Sequence, residues 1–280
     1  MVKHIMLKRI IIGLLMVAYV ITGVWLGRTV MLVHMALLLL IGTHEMLDSL
    51  ISGGAKLVRW VYYLYAAVLL PAYLYGGDAG LMTAVLVGML VAMSLVCLRT
   101  EPETQQLLSA VLPVFYPALP IMAMSMLVCN DGPFWRMMIW LLFALAASSD
   151  TMALFFGKFF GKRKLIPRVS PNKTVEGAIG GVITCLAGTC LLAFVYCWLC
   201  GIIWKEYLTV SYPRLLLLAL LGSVLSMIGD LSASLIKRQR GVKDYGSLMP
   251  GHGGVVDRFD SVFFTLPFVF LFMQLCPILR

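Results

Sequence analysis

Long apolar runs recur along this chain, broken by short joints rich in charge, proline or glycine. Reading the runs against the breaks places spans near residues 10 to 27, 29 to 43, 57 to 75, 79 to 98, 107 to 129, 135 to 156, 176 to 204, 214 to 236 and 260 to 278, nine in all. In hydrocarbon no water satisfies the backbone, so runs of this length predict helices. The expected fold is an all-α, polytopic integral membrane protein. The second run, about 15 residues against the roughly 20 of a perpendicular crossing, leaves open a re-entrant or tilted pair with the first. Pro113, Pro117 and Pro120 are expected to bend one helix. The N-terminus, basic and then apolar with no small-residue cleavage motif near Trp25 to Val30, reads as a retained first helix.

Composition agrees: the chain is 61% hydrophobic and 12% charged, with a mean hydropathy of +0.95. Spans consume nearly all 280 residues, so 1–280 is read as one membrane domain, with N-terminal helices at 1–130 and a chemistry-bearing half at 135–280. Seven cysteines lie in or beside apolar runs, and the Cys197/Cys200 pair has no second pair or nearby histidine to complete a zinc site. They read as small hydrophobes.

Charge adds orientation. The net charge of +9 sits in loops beside spans, which points to anionic lipid headgroups or phosphorylated substrates and away from nucleic acid. With the N-terminus inside, 17 Lys and Arg residues fall in or near inner loops and five outside. That bias puts the basic segments 157 to 174 and 237 to 258 on the cytoplasmic side, where they are expected to face one site.

Candidate chemistry concentrates between Met227 and Asp260. Four of the 13 carboxylates lie there, Asp230, Asp244, Asp257 and Asp260, with Lys237, Arg238, Arg240, Lys243 and Arg258. An unpaired carboxylate near the end of a span costs a few kcal/mol on insertion scales, so Asp230 needs a cation. On a helix Asp230, Ser234 and Lys237 share a face, as do Asp257 and Asp260 or Ser261. Two such faces could converge on a divalent ion, and magnesium needs only one or two carboxylates besides water and phosphate. Pairing of Asp230 and Asp257 with Lys237, Arg238 or Arg258 is the alternative. Between them Pro250 to Gly254, with Gly253 and Gly254, offers unobstructed N–H groups before a helix start, either a phosphate cradle or a plain turn. His252 could donate to a phosphate or act as an acid, or serve only the turn.

Upstream, Asp150 lies in or near the end of a span. Ser170, Lys173, Thr174 and Glu176 precede a glycine-rich helix start at Gly177, a combination of hydroxyls, ammonium and free N–H groups that suits a triphosphate. Lys162 to Lys164 is read as a topology signal and lipid-surface patch.

The order Ser234, Lys237-Arg238, Lys243-Asp244, Gly246, Pro250, His252-Gly253-Gly254, Asp257-Arg258, Asp260 resembles the signature of the phosphatidate cytidylyltransferases (CDP-diacylglycerol synthases). Asp150-Thr151, Gly157, Gly161 and Ser170-Pro171 through Gly177 are similar to that family too. The likeness is specific from about residue 148 onward; before that it rests on hydropathy, with Glu45 in a plausible family position after the second span. Met249 stands where Leu, Ile or Phe is usual, and Leu154 where Tyr is common, a change expected to bear on substrate preference.

The resemblance implies transfer of CMP from CTP to phosphatidic acid, giving CDP-diacylglycerol and pyrophosphate, in a bacterial cytoplasmic (inner) membrane. It implies Mg2+ held by Asp230, Asp257 and Asp260, and admits a second cation. It implies Lys173, Lys237, Arg238, Lys243 and Arg258 on the phosphates, with Asp244 and Asp260 orienting those cations or extending the metal site. Membrane lipids are further partners, and a homodimer is an open option. Rival readings are another CTP-dependent lipid enzyme, such as a CDP-archaeol synthase or polyprenol kinase, and an ion-coupled transporter, which the loop placement of the polar groups disfavours.

Overall fold

The computed structural model describes residues 2–50, 56–98, 104–129, 134–203, 205, 208–249 and 253–279. It is helical apart from one small hairpin. Six helical stretches among the described residues are long and apolar enough to cross a bilayer: Arg28–Leu50, Val58–Cys97, Thr104–Cys129, Trp135–Phe160, Val175–Ile203 and Tyr212–Gln239. The polytopic helical expectation is met, but the count of nine spans is not reproduced. The chain divides into two compact units, Met1–Cys129 with Gln239–Phe259, and Asn130–Arg238 with Asp260–Arg280. The segment 239–259 therefore groups with the N-terminal helices.

The first unit holds α1 (Val2–Leu26), α2 (Arg28–Leu50), α3 (Lys56–Cys97), α4 (Thr104–Phe115) and α5 (Ala118–Cys129). At 23 residues α2 is longer than the expected 29 to 43, and at 1.5 Å per residue it measures roughly 34 Å, enough for a crossing. Within α3 the backbone leaves helical geometry at Gly77 (φ 58°, ψ −149°), a left-handed conformation that glycine adopts without steric cost. The chain doubles back there, since a Cβ on Gly88 would lie 2.4 Å from the Tyr65 ring. The limbs of this hairpin correspond to the spans expected at 57 to 75 and 79 to 98. The span expected at 107 to 129 is instead two helices, α4 and α5. Pro117 between them lacks an N–H and restricts Tyr116, so the turn continues through neither. Tyr62 and Tyr65 tie α3 to α4, donating to the carbonyls of Ala110 (2.7 Å) and Val114 (2.9 Å).

The second unit holds α6 (Trp135–Phe160), β1 (Lys164–Ile166), β2 (Ser170–Thr174), α7 (Val175–Ile203), α8 (Tyr212–Gln239) up to Arg238, and α9 (Val255–Leu275) from Asp260 onward. The antiparallel β1–β2 hairpin pairs Lys164 with Thr174 and Ile166 with Ser170, where the sequence suggested only a loop. Its closing residue starts the next helix: Thr174 Oγ1 accepts the N–H of Gly177 (3.1 Å), an N-cap bond. Small residues let α6 and α7 approach at backbone distance. A Cβ on Gly177 would lie 2.5 Å from the Ala153 carbonyl, and one on Gly181 would lie 2.7 Å from that of Ser149. The outer ends of α8 and α9 are laced by Ser211 N–H to the Ile278 carbonyl and by Arg214 to the Pro277 carbonyl, each 2.8 Å.

Candidate active site

In the second unit three carboxylates, two ammonium groups and one hydroxyl collect from four elements. α8 carries Asp230, Ser234 and Lys237 on one face, as its 3.6-residue period dictates. α8 passes α9 closely at Gly229, where a Cβ would lie 2.9 Å from the carbonyl of Asp260. That approach sets Asp230 beside Asp260. α6 brings Asp150, whose Oδ2 accepts the hydroxyl hydrogen of Ser261 at 2.5 Å. β2 brings Lys173, whose Nζ lies 2.5 Å from Asp230 Oδ2, with the two side chains 15% and 28% exposed.

Asp230 is close enough to act electrostatically on both Asp150 and Asp260, which also repel each other, while Lys173 attracts Asp150 and Lys237 attracts Asp260. Asp260 is buried, with Oδ1 accepting the N–H of Ser261 at 2.7 Å. Three carboxylates crowded in a partly dry setting carry a desolvation cost of several kcal/mol per ion unless positive charge compensates it. The cluster therefore favours cations.

The first unit uses the same chemistry differently. Glu45, expected after the second span, lies within α2 and is buried. Its carboxylate reaches across 210 positions to accept the N–H groups of Val255 and Val256, each at 2.8 Å, the first amides of α9. These donors have no partner inside the helix, and a negative charge there also favours the helix dipole. Gly246 and Gly254 make room, because a Cβ on either would come within 2.6 Å of Glu45. Asp257, also buried, uses Oδ2 to accept the N–H groups of Tyr245 (2.7 Å) and Gly254 (2.9 Å). Asp244 lies beside Gly253 and is exposed.

Several residues take a more definite place than sequence gave them. Of the Pro250 to Gly254 segment, read as a phosphate cradle or a plain turn, the amide of Gly254 is held by the chain's own Asp257, and the next two amides, of Val255 and Val256, by Glu45. Asp230 is paired with Lys173, a cation that the ion-pair alternative did not include. Of the two carboxylates read as one metal pair, Asp230 lies against Lys173 in the second unit and Asp257 accepts two amides in the first. Thr174 caps α7. Glu176 stands in the first turn of α7, not before the helix, and its Oε2 accepts the N–H groups of Lys162 (2.9 Å) and Arg163 (3.2 Å). Ser170 opens β2. Arg238, Lys243 and Arg258 are exposed, Ser234 and Lys237 half-buried. Leu154, in place of the more usual Tyr, is exposed on α6. His252 and Pro250 lie outside the described residues.

Sequence reasoning did not assign Ser261 a partner, and it left Glu45 without a role. A signal existed for Glu45: an acidic residue set in an apolar run demands polar partners.

Among the described residues no three His, Cys, Asp or Glu side chains form a ready-made ion cage. Magnesium does not need one, since it keeps waters and takes the rest of its shell from substrate phosphates. The excess of carboxylates around Asp230 fits such an ion.

The sequence profile of the cytidylyltransferase family matches residues 7–276. A phosphatidate cytidylyltransferase of Bacillus subtilis is 44% identical over 128 residues, 46% of this chain and 44% of that protein. One of Brucella abortus is 36% identical over 224 residues, 79% of this chain and 74% of that protein. One of Haemophilus influenzae is 43% identical over 129 residues, 45% of this chain and 42% of that protein. The matches thus span less than half the length of the Bacillus and Haemophilus relatives and about three quarters of the Brucella one. With a profile match across nearly its whole length, the chain belongs to the cytidylyltransferase family.

Proposed function

We propose that this chain is a membrane-embedded transferase that moves the cytidylyl group of CTP onto phosphatidic acid, giving CDP-diacylglycerol and pyrophosphate for phospholipid synthesis. The observation that carries the reading is the cluster of Asp150, Lys173, Asp230, Lys237 and Asp260 in a chain of this family.

The reaction needs no side-chain nucleophile. An oxygen of the lipid phosphate attacks the α-phosphorus of CTP, the bond from that phosphorus to the bridging oxygen breaks, and pyrophosphate leaves with the electron pair. What the protein supplies is alignment and charge neutralisation of two polyanions. Lys173 and Lys237 do this from within the cluster, and exposed Arg238, next along α8, adds positive charge. Ser261 holds the carboxylate of Asp150 in one orientation. Asp230 and Asp260, with Asp150 beside them, would hold magnesium. A bound divalent ion neutralises phosphate oxygens and polarises the attacked phosphorus. Asp257 and Glu45 fix the turn that carries Lys243, Asp244 and Arg258.

The basic loops 157 to 174 and 237 to 258 are assigned to the cytoplasmic face of a bacterial inner membrane, on the charge bias of the loops. Cysteines placed at positions 165 and 247 should react with an impermeant reagent only from that side.

The reaction is tested with purified protein, labelled CTP and phosphatidate, with and without magnesium. The expected result is a cytidine-labelled lipid and one pyrophosphate per turnover, only with the metal. Transfer to an ether-linked archaeal lipid phosphate but not to phosphatidate, or phosphorylation of a polyprenol, would assign a sister reaction instead.

A further inference from the structure

Within the first unit an apolar groove of about 330 Å³ opens between α1, α2 and the segment that leads into α9. Its walls follow from helical periodicity. Ile12, Leu15, Met16 and Tyr19 recur at one face of α1, and Leu37, Leu38 and Ile41 face them from α2. Leu248, Met249, Val255 and Phe259 close the end nearest the glycine-rich turn. The one hydroxyl in the lining, that of Tyr19, is spent on the His34 carbonyl at 2.7 Å, so the groove presents no polar demand. Leu15 and Leu248 are 63% and 60% exposed, which leaves the groove open at its side.

We infer that this groove receives an acyl chain of the phosphatidic acid substrate. This inference rests on the proposed reaction. Three observations single out that occupant. The volume lies at the lower end of the roughly 300–1,000 Å³ of small-ligand sites, whereas one turn of a helix, about 10–12 Å across with side chains, already exceeds it. The lining is apolar throughout, as a hydrocarbon tail requires. The segment that closes the groove also carries exposed Lys243 and Arg258, with Asp244 as the exposed carboxylate beside Lys243, so an apolar channel and basic side chains lie on one stretch of chain, the complement of a lipid with an anionic head. Bulk zwitterionic lipid matches the first half of that description only.

The test pairs a chemical probe with turnover. Phosphatidate bearing a photoactivatable diazirine on one acyl chain is irradiated with the purified protein in detergent, and the labelled peptides are read by mass spectrometry. Labelling is expected in 12–19, 37–41 and 248–259, displaced by unlabelled dioleoyl phosphatidate and not by phosphatidylcholine. In parallel, Ile41→Trp and the more exposed Leu248→Trp are assayed with dioctanoyl and dioleoyl phosphatidate. Each should raise KM for the dioleoyl substrate about tenfold, the scale on which apolar pockets discriminate single methylenes, with kcat and the KM for CTP kept and the dioctanoyl substrate less affected. Labelling elsewhere, equal displacement by phosphatidylcholine, or chain-length-blind variants would overturn the inference while turnover left the reaction standing. A change of oligomeric state in Leu248→Trp, with no labelling of the groove, would assign it to a second copy of the chain. Specific labelling without any transfer would instead overturn the reaction and keep the groove.

Discussion

Glu45 and Asp257 in one unit, and Asp150, Asp230 and Asp260 in the other, are the same chemical groups in opposite situations. Glu45 and Asp257 are each met by two backbone N–H groups at 2.7–2.9 Å. Fixed backbone dipoles face their charge. Asp150, Asp230 and Asp260 face one another, and Lys173 at 2.5 Å from Asp230 is their closest cation. Burial alone does not distinguish a scaffold carboxylate from a working one; the partners do. A carboxylate satisfied by amides builds a turn, and carboxylates that repel one another hold open a place for mobile positive charge.

The comparison breaks first at Asp230. Asp230→Asn keeps the shape and removes the charge, so cytidylyl transfer should fall on the order of 10²-fold or more, the scale of losing a charge-stabilising group. The protein should still elute as a folded species in size-exclusion chromatography. Lys173→Met should fall as far, and the double variant little further, because groups acting as one unit are non-additive. Near-normal turnover in either single variant would move the reaction away from this cluster.

The opposite pattern is expected at Glu45. Glu45→Ala strands two buried amides, each costing about 1–3 kcal/mol, and should lower the thermal unfolding midpoint clearly. Glu45→Gln, which retains an acceptor oxygen, should recover part of that loss. A variant that kept its unfolding midpoint but lost all turnover would place Glu45 with the working carboxylates instead. Asp257→Asn sharpens the same contrast. With one acceptor oxygen left for Tyr245 and Gly254 it should lose roughly tenfold less activity than Asp230→Asn, a smaller loss in line with a group that acts by positioning. Equal losses at 230 and 257 would erase the distinction between the two regions.

A smaller effect belongs to Thr174. Thr174→Ala removes the cap of α7 and should cost about 1 kcal/mol, read as a lowered unfolding midpoint that Thr174→Ser largely restores. Neutralising Arg163 and Lys164, both exposed, should leave turnover within about twofold, as surface changes usually do.

The amino-acid order by itself determined the helical membrane class, because hydropathy over some 20 residues is a local quantity that hydrocarbon enforces without reference to any distant residue. It determined that Asp230, Ser234 and Lys237 share a face, since helical period is local too. It pointed to the polar segment from Asp230 to Asp260 by sheer density of charge. Where the pattern was not purely local the reading slipped: α2 runs on to Leu50 because Glu45 finds amides to pay its charge, and the proline-rich run is two helices rather than one bent one.

Only the tertiary structure decided the partners. Lys173 and Asp230 lie 57 positions apart, Asp150 and Ser261 lie 111 apart, and no period in the sequence links them. Glu45 could be flagged as a carboxylate in need of donors, but not matched to Val255 and Val256. Nor could the sequence tell that Asp257 already holds the amide of Gly254. Hydrogen bonds and ion pairs act over a few ångströms, so which groups satisfy one another is set by where helices cross. Here the crossings are fixed by close backbone approaches at Gly229 and Gly181, whose partners a string of residues does not name.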